Sequence, residues 1–303
     1  MLNRALILLF IILNLNIYGS NITPIPEKID FDLEKALLGK KLFNDKRLSA
    51  NNTISCASCH DLKNGGDDNL VTSIGINNSI GNINAPTVLN AVFNFRQFWD
   101  GRAKDLDEQA MGPVENPIEM GHSFDVLVKE LSNMKYKDIF LEIYEDGITK
   151  KNIANAIAEF EKTLITPNSK FDKFLKGDKL AISKFENEGY ELFKNKGCIT
   201  CHHGVNVGGN LYNKFGVIFD PINDNLGRYN LTKDEEDKYF FKVPGLRNIE
   251  FTAPYFHDGR YYDLERTVKE MALVQLGRPM TEREIRKIVA FLKTLSGELT
   301  IIE

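Results

Sequence analysis

Cys56-Ala57-Ser58-Cys59-His60 and Cys198-Ile199-Thr200-Cys201-His202 are the two stretches that decide how this chain is read. They use all 4 cysteines and two of the 5 histidines. Four cysteines in an exported chain suggest two disulfides first. Here each pair is Cys-x-x-Cys with a histidine immediately after, the signature of covalent c-type haem attachment. Two thiols add to the two vinyl groups on one edge of a porphyrin. Two intervening residues set the reach, and the next residue swings beneath the iron as proximal ligand. A thioredoxin-like redox pair has no use for the histidine. A zinc ribbon gathers its thiols in one place, whereas these pairs lie far apart. Two c-type haems are therefore expected, attached at Cys56 and Cys59 and at Cys198 and Cys201, with His60 and His202 as axial ligands.

Working outward, both motifs sit in similar surroundings. Asp32-Leu33-Glu34-Lys35-Ala36-Leu37-Leu38 and the residues up to Phe43 read as a capped amphipathic helix. Gly-x-x-Leu-Phe occurs at 39–43 and again at 189–193, each time shortly before a haem motif, a faint internal repeat. A strong helix pattern over 151–164, with Ile153, Ile157, Phe160 and Leu164 on one face, ends at Thr166-Pro167-Asn168-Ser169, the expected boundary. Near the C-terminus Thr281 and Glu284 form a capping box ahead of a stripe of Ile285, Ile288, Val289, Leu292 and Leu295. Long Gly/Asn/Asp loops fill 64–84 and 204–227, and strand signal is slight. The expectation is a mainly α fold of two tandem cytochrome c-like domains, 21–166 and 167–303, each enclosing one covalent haem.

Composition fits a globular protein, with 43% hydrophobic and 26% charged residues. The net charge is −4, and no basic block points to nucleic acid. A mildly acidic surface suits a small basic protein partner. Residues 1–20 open with Asn3 and Arg4, continue through an apolar run and reach Gly19 and Ser20. That is the layout of a signal peptide cleaved near Gly19/Ser20, which implies export to the periplasm. The apolar run is short for a membrane span.

Beyond the haem motifs, the chain resembles the bacterial dihaem cytochrome c peroxidases over nearly its whole mature length. The resemblance rests on Asn84-Ala85-Pro86-Thr87-Val88-Leu89-Asn90, on Gln97-Phe98-Trp99-Asp100-Gly101-Arg102, on Gln109, Gly112-Pro113-Val114 and Glu119-Met120, on Ala253-Pro254-Tyr255-Phe256-His257-Asp258-Gly259, and on Met271 with Gln275-Leu276-Gly277. It implies a periplasmic enzyme that reduces hydrogen peroxide to water with electrons from a small cytochrome c or cupredoxin, and a homodimer. It implies that His60 serves a low-potential peroxidatic haem and that His202 and Met271 ligate a high-potential electron-transfer haem. Trp99 would lie on the electron path between them. Glu119 and Gln109 would face the distal pocket, Glu119 as proton carrier. Asn84, Thr252 and Pro254 match positions that hold a calcium ion, the last two through carbonyl oxygens, and hard oxygen donors suit calcium. By residue type alone, Trp99 and Met271 would be core, and Glu119 and Gln109 surface. His257 and Arg102 are open between orienting propionates and packing between domains, and His203 reads as exposed.

The sequence departs from the family at one place. Many members carry a histidine, in the loop after the first haem motif, that blocks the distal side of the resting enzyme. Here that position is Ile76, and no histidine occurs between His60 and His122. The expectation is a peroxidatic haem open even when fully oxidised, with His122 as the rival ligand. Two other readings stand beside the peroxidase. One is a non-enzymatic dihaem electron carrier, which would need no Glu119. The other is a peroxidase-like protein of altered activity, which the Ile76 departure keeps open. The related enzyme that matures a tryptophan-derived cofactor places a tyrosine where Met271 stands.

Overall fold

The computed structural model describes residues 21–219 and 224–303. The expected signal peptide at 1–20, with its cleavage near Gly19/Ser20, lies outside the described residues. The described chain is mainly helical. Its first half holds α1 (Leu33–Phe43), the single turn α2 (Cys56–Cys59), α3 (Leu106–Glu115), α4 (Phe124–Ser132), α5 (Tyr136–Ile143) and α6 (Lys150–Lys162). Its second half holds α7 (Lys170–Leu175), α8 (Lys184–Lys196), α9 (Tyr229–Thr232), α10 (Leu264–Val274) and α11 (Glu282–Lys293). One small antiparallel ladder joins β1 (Tyr212–Lys214) to β2 (Phe240–Lys242), with Tyr212 opposite Lys242. Among the described residues no helix is long and apolar enough to cross a membrane.

The helices begin where side chains satisfy the free amides of the first turn. The Asp32 carboxylate accepts from the Lys35 amide at the start of α1, and the Thr149 hydroxyl accepts from the Asn152 amide at the start of α6. Ser183 with Glu186 and Thr281 with Glu284 close full capping boxes on α8 and α11. α6 stops two residues short of Leu164, which the helix pattern had included.

The Gly-x-x-Leu-Phe repeat has a physical meaning. A Cβ on Gly39 would come within 1.8 Å of the Ala156 carbonyl oxygen and 2.9 Å of the Phe160 Cβ, so only glycine lets α1 lie this close to α6. A Cβ on Gly189 would come within 1.9 Å of the Lys287 carbonyl oxygen and 3.0 Å of the Phe291 Cβ, so α8 meets α11 in the same way. Four residues on, Phe43 packs on Phe160 with ring centroids 5.2 Å apart, and Phe193 packs on Phe291 at 5.2 Å. The same two phenylalanines then approach the histidines of the haem motifs, at 6.5 Å for Phe43–His60 and 6.4 Å for Phe193–His202. The two halves thus repeat one device: a glycine contact between helices, a phenylalanine in the crossing and a histidine held beside it.

Each half has its own apolar core, one built around Leu42, Phe43, Ile153, Ile157 and Phe160, the other around Phe171, Phe193, Ile285, Ile288 and Phe291. At the chain ends this division is crossed. Ile22 packs in the second core, whereas Leu299, Ile301 and Ile302 pack against the first, where the Lys40 ammonium donates to the Ile302 carbonyl oxygen at 2.6 Å. The connection between the halves is gripped from both sides. The amides of Asn90 and Asn248 donate to the Thr166 hydroxyl at 2.8 and 2.9 Å. Just beyond, Arg247 and Asp172 form a fully buried ion pair at 2.8 Å. Its spare guanidinium hydrogens go to the carbonyls of Val205 and Thr23 and to the Ser169 hydroxyl. A buried pair holds only when its remaining donors are satisfied in this way.

Candidate active site

In both motifs the main chain turns so that the histidine falls back beneath its cysteines: the amides of His60 and His202 donate to the carbonyls of Cys56 and Cys198, each at 3.0 Å. All four thiols are free, so the two-disulfide arrangement is absent. Burial pushes the Cys56 thiol up to about 12, helped by the nearby Glu161 carboxylate, and the Cys198 thiol up to about 11. Among the described residues no cluster of three or more His, Cys, Asp or Glu side chains is placed to hold a metal ion by itself.

Each motif opens into its own cavity. The first is lined by Cys56, Cys59, His60, Trp99, Gln109, Glu119 and Glu161, and encloses ≈ 1320 Å³ of space free of protein atoms. The second is lined by Cys198, Cys201, His202, Met271, Trp99 and Lys242, and encloses ≈ 1670 Å³. Both open partly to solvent, and these volumes include space continuous with it. In the first, the His60 Nδ1 lies 3.1 Å from the Gly66 carbonyl oxygen. That contact assigns the proton to Nδ1 and leaves the Nε2 lone pair for iron. Burial holds His60 below its usual pKa and holds His202 down at about 4, so both rings are neutral and able to ligate. The carbonyls of Val207 and Pro244 temper that shift at His202, but no partner closes a well-formed hydrogen bond to its Nδ1. A thiol pair, a neutral imidazole and a large cavity at each site fit a covalent haem.

The family profile described as di-haem cytochrome c peroxidase matches residues 33–180, and a cytochrome c profile matches 186–296. The chain is 50% identical to the cytochrome c551 peroxidase of Nitrosomonas europaea over 91% of this chain and 84% of that protein. This chain is a bacterial dihaem cytochrome c peroxidase by family. It is 42% identical to the cytochrome c551 peroxidase of Pseudomonas aeruginosa, over 92% of this chain and 85% of that one. The cytochrome c peroxidase Ccp of Escherichia coli is 49% identical over 92% of this chain, which spans 62% of that longer protein. In fold, the chain superposes on a MauG-like protein associated with microbial copper homeostasis with a TM-score of 0.78 and 26% identity, covering 94% of this chain and 96% of that one. A dihaem cytochrome c peroxidase is an oxidoreductase carrying two c-type haems, and the two cavities are where this chain would hold them.

The other candidate residues singled out in the sequence fall in or beside these cavities. Trp99, Asn84, Ala85, Pro86 and Thr87 line both, so they form the wall between them. Asn84, Thr252 and Pro254 come together in the second cavity. Glu119 accepts at Oε1 from the Asn116 amide at 2.6 Å, and burial raises its pKa against the pull of Asn116 and Arg102. Two of the six methionines, Met271 on α10 and Met280, reach the cavity of His202, whereas Met120 lines that of His60.

At five further positions the packing sharpens or corrects the sequence expectation. Ile76 does not line the first cavity: it is buried, and its amide donates to the Glu119 carbonyl oxygen at 2.8 Å. Its loop lies so close that a Cβ on Gly75 would come within 1.9 Å of the Ile118 carbonyl oxygen. His122, the rival ligand, is also outside that cavity, and its Nε2 lies 3.2 Å from the Glu130 carboxylate. His203 is half-buried rather than exposed, with Nδ1 2.9 Å from the Asn210 amide. His257 is packed between the halves, stacked on Phe241 with centroids 4.2 Å apart, while Arg102 pairs with Asp100 and lies over the Phe98 ring. Sequence reasoning missed Glu161 and Lys242, buried ionisable groups on the two cavity walls that no motif marks.

Proposed function

We propose that this peroxidase reduces hydrogen peroxide to water in the periplasm, drawing electrons from a small cytochrome c or cupredoxin. The reaction takes up two protons and two electrons per peroxide and yields two waters. One observation carries the proposal: Trp99 lines the cavity of His60 and Glu119 and also the cavity of His202 and Met271. That places an aromatic ring between a chamber equipped for proton transfer and a chamber equipped for electron transfer.

The haems, when attached, supply the redox chemistry, one at each histidine. The chain supplies the rest. His60 offers Nε2 to one iron because Gly66 holds its other nitrogen. Peroxide enters the chamber beside Glu119, whose carboxylate accepts a proton from one peroxide oxygen and returns it to the other. Burial brings the pKa of Glu119 closer to working pH, and Asn116 fixes which oxygen is free. Gln109 lines the same chamber as a neutral hydrogen-bonding group. Met271, on the wall of the second cavity, would close that site, which suits electron transfer rather than ligand chemistry. Asn84, Thr252 and Pro254 offer neutral oxygens on one wall, a donor set suited to calcium. The homodimer implied by the resemblance is a further expectation, read by sedimentation.

With Ile76 pinned beneath Glu119 and His122 held by Glu130, no histidine of the described loop reaches the His60 chamber. The enzyme therefore works without prior reduction. Peroxide-driven oxidation of a reduced small cytochrome, followed by stopped flow, tests the function. Wild-type turnover that falls at least a hundredfold in Glu119→Gln supports it. No wild-type turnover contradicts it, and unchanged turnover in the variant removes Glu119 from the chemistry.

A further inference from the structure

Lys242 ends β2 and lines the cavity of His202. It is 5% exposed. Desolvation holds its ammonium down at about 8. Among the described residues no carboxylate lies within ion-pairing distance of its ammonium, and none of its side-chain hydrogens meets a protein acceptor. The other basic residues of this wall differ. Arg247 is fully engaged with Asp172, and Lys214 is partly exposed. A buried ammonium without a counterion is among the costliest groups a fold can carry, so this wall is suited to receive an anion.

The position of the lysine narrows what that anion is. Its main-chain amide donates to the Trp99 carbonyl oxygen at 2.7 Å, while the Trp99 indole donates to the Asn84 carbonyl oxygen at 2.9 Å. Lys242 is thus fixed to the wall between the chambers. A haem tethered through its vinyl edge at Cys198 and Cys201 brings two propionate carboxylates on the opposite edge of the ring. We infer that Lys242 is the buried counterion of a propionate of the haem at His202 and thereby holds that haem's potential up. The inference rests on the reading that a haem occupies this cavity. A cation beside the macrocycle favours the ferrous state, which carries one positive charge fewer. With the lysine removed, an uncompensated carboxylate favours the ferric state instead.

Spectroelectrochemical titration of the holoenzyme tests this. Lys242→Met is expected to shift the one-electron equilibrium of the His202 haem at least tenfold toward ferric, a fall of about 59 mV. Lys242→Arg, which keeps the charge, is expected to stay within about threefold of wild type, and the His60 haem is expected to move less than its neighbour. Thermal unfolding gives a second readout. Removing an unpaired buried cation stabilises a protein, whereas removing one partner of a buried pair destabilises it. A Lys242→Met holoenzyme with unshifted potential and a raised Tm overturns the inference. The methionine-to-iron charge-transfer band, read in the same ferric samples, tests the Met271 assignment separately. Its absence would sink that assignment, and the lysine shift would still stand or fall by itself.

Discussion

The Trp99 indole nitrogen donates to the main-chain oxygen of Asn84 at 2.9 Å, and both residues line both cavities. Trp99 is therefore tied to its own wall through the indole nitrogen. Trp99→Phe removes the hydrogen bond and part of the ring. Electron transfer from the reduced His202 haem to the peroxide-oxidised His60 haem, followed in single turnover, is expected to slow at least tenfold. Peroxide consumption in the first encounter should stay near wild type. Equal inter-haem rates in the two proteins would take Trp99 off the path.

Met271 and Met280 both reach the second chamber. Met271 projects from α10, a regular helix capped at its start by the Asp263 carboxylate, and a ligand gains from a rigid support. Met271→Leu should abolish the methionine-to-iron charge-transfer band in the ferric spectrum, and Met280→Leu should retain it. The reverse pattern would transfer the ligand role to Met280.

Gly39 and Gly189 make equivalent helix contacts, with a carbonyl oxygen inside 2 Å of where a Cβ would sit. Gly39→Ala and Gly189→Ala should each destabilise the holoprotein by about 1–3 kcal/mol, the usual cost of overpacking. The measurement is the urea midpoint of the corresponding half. Wild-type midpoints would mean that the helices separate without cost.

Glu161 on α6 is buried on the wall of the His60 cavity, and burial together with the Asp107 charge raises its pKa from 4.5 to about 8. Below pH 4.5 the carboxyl is protonated in folded and unfolded chains alike, so it has no effect on stability. Between pH 4.5 and about 8 the unfolded chain has lost the proton that the folded one keeps, and stability falls as pH rises. At about 1.36 kcal/mol per pKa unit, the full loss is several kcal/mol. Glu161→Gln should therefore stabilise the protein at pH 8 and leave it unchanged at pH 4. A variant no more stable than wild type at pH 8 would show that Glu161 ionises freely in the fold.

The haem sites were legible because two thiols, a vinyl spacing and a ligand must be adjacent in the chain, so local sequence carries them whole. The capped helices were legible for the same reason: Thr281 and Glu284 meet within one turn. Even the Gly-x-x-Leu-Phe repeat was visible, although its cause, the contact of Gly39 with Ala156, needed the packed helices. Where partners are distant in sequence, nothing local announced them. The burial of Lys242 and Glu161 leaves no mark in the sequence around them. The pairing of His122 with Glu130 and the grip of Asn90 and Asn248 on Thr166 likewise exist only in three dimensions. Strand β1 lay inside the stretch 204–227 read as loop, because three residues in each strand leave no period to detect.

In the proposed enzyme the two haem sites are unequal, one closed by Met271 and one left open beneath Glu119 because Ile76 and His122 both lie outside its cavity. Electron paramagnetic resonance of the fully oxidised wild-type enzyme, before any reductant is added, reads both axial positions at once. The account predicts one low-spin signal of His/Met type together with one high-spin or water-bound signal. Two purely low-spin signals in that sample would contradict it.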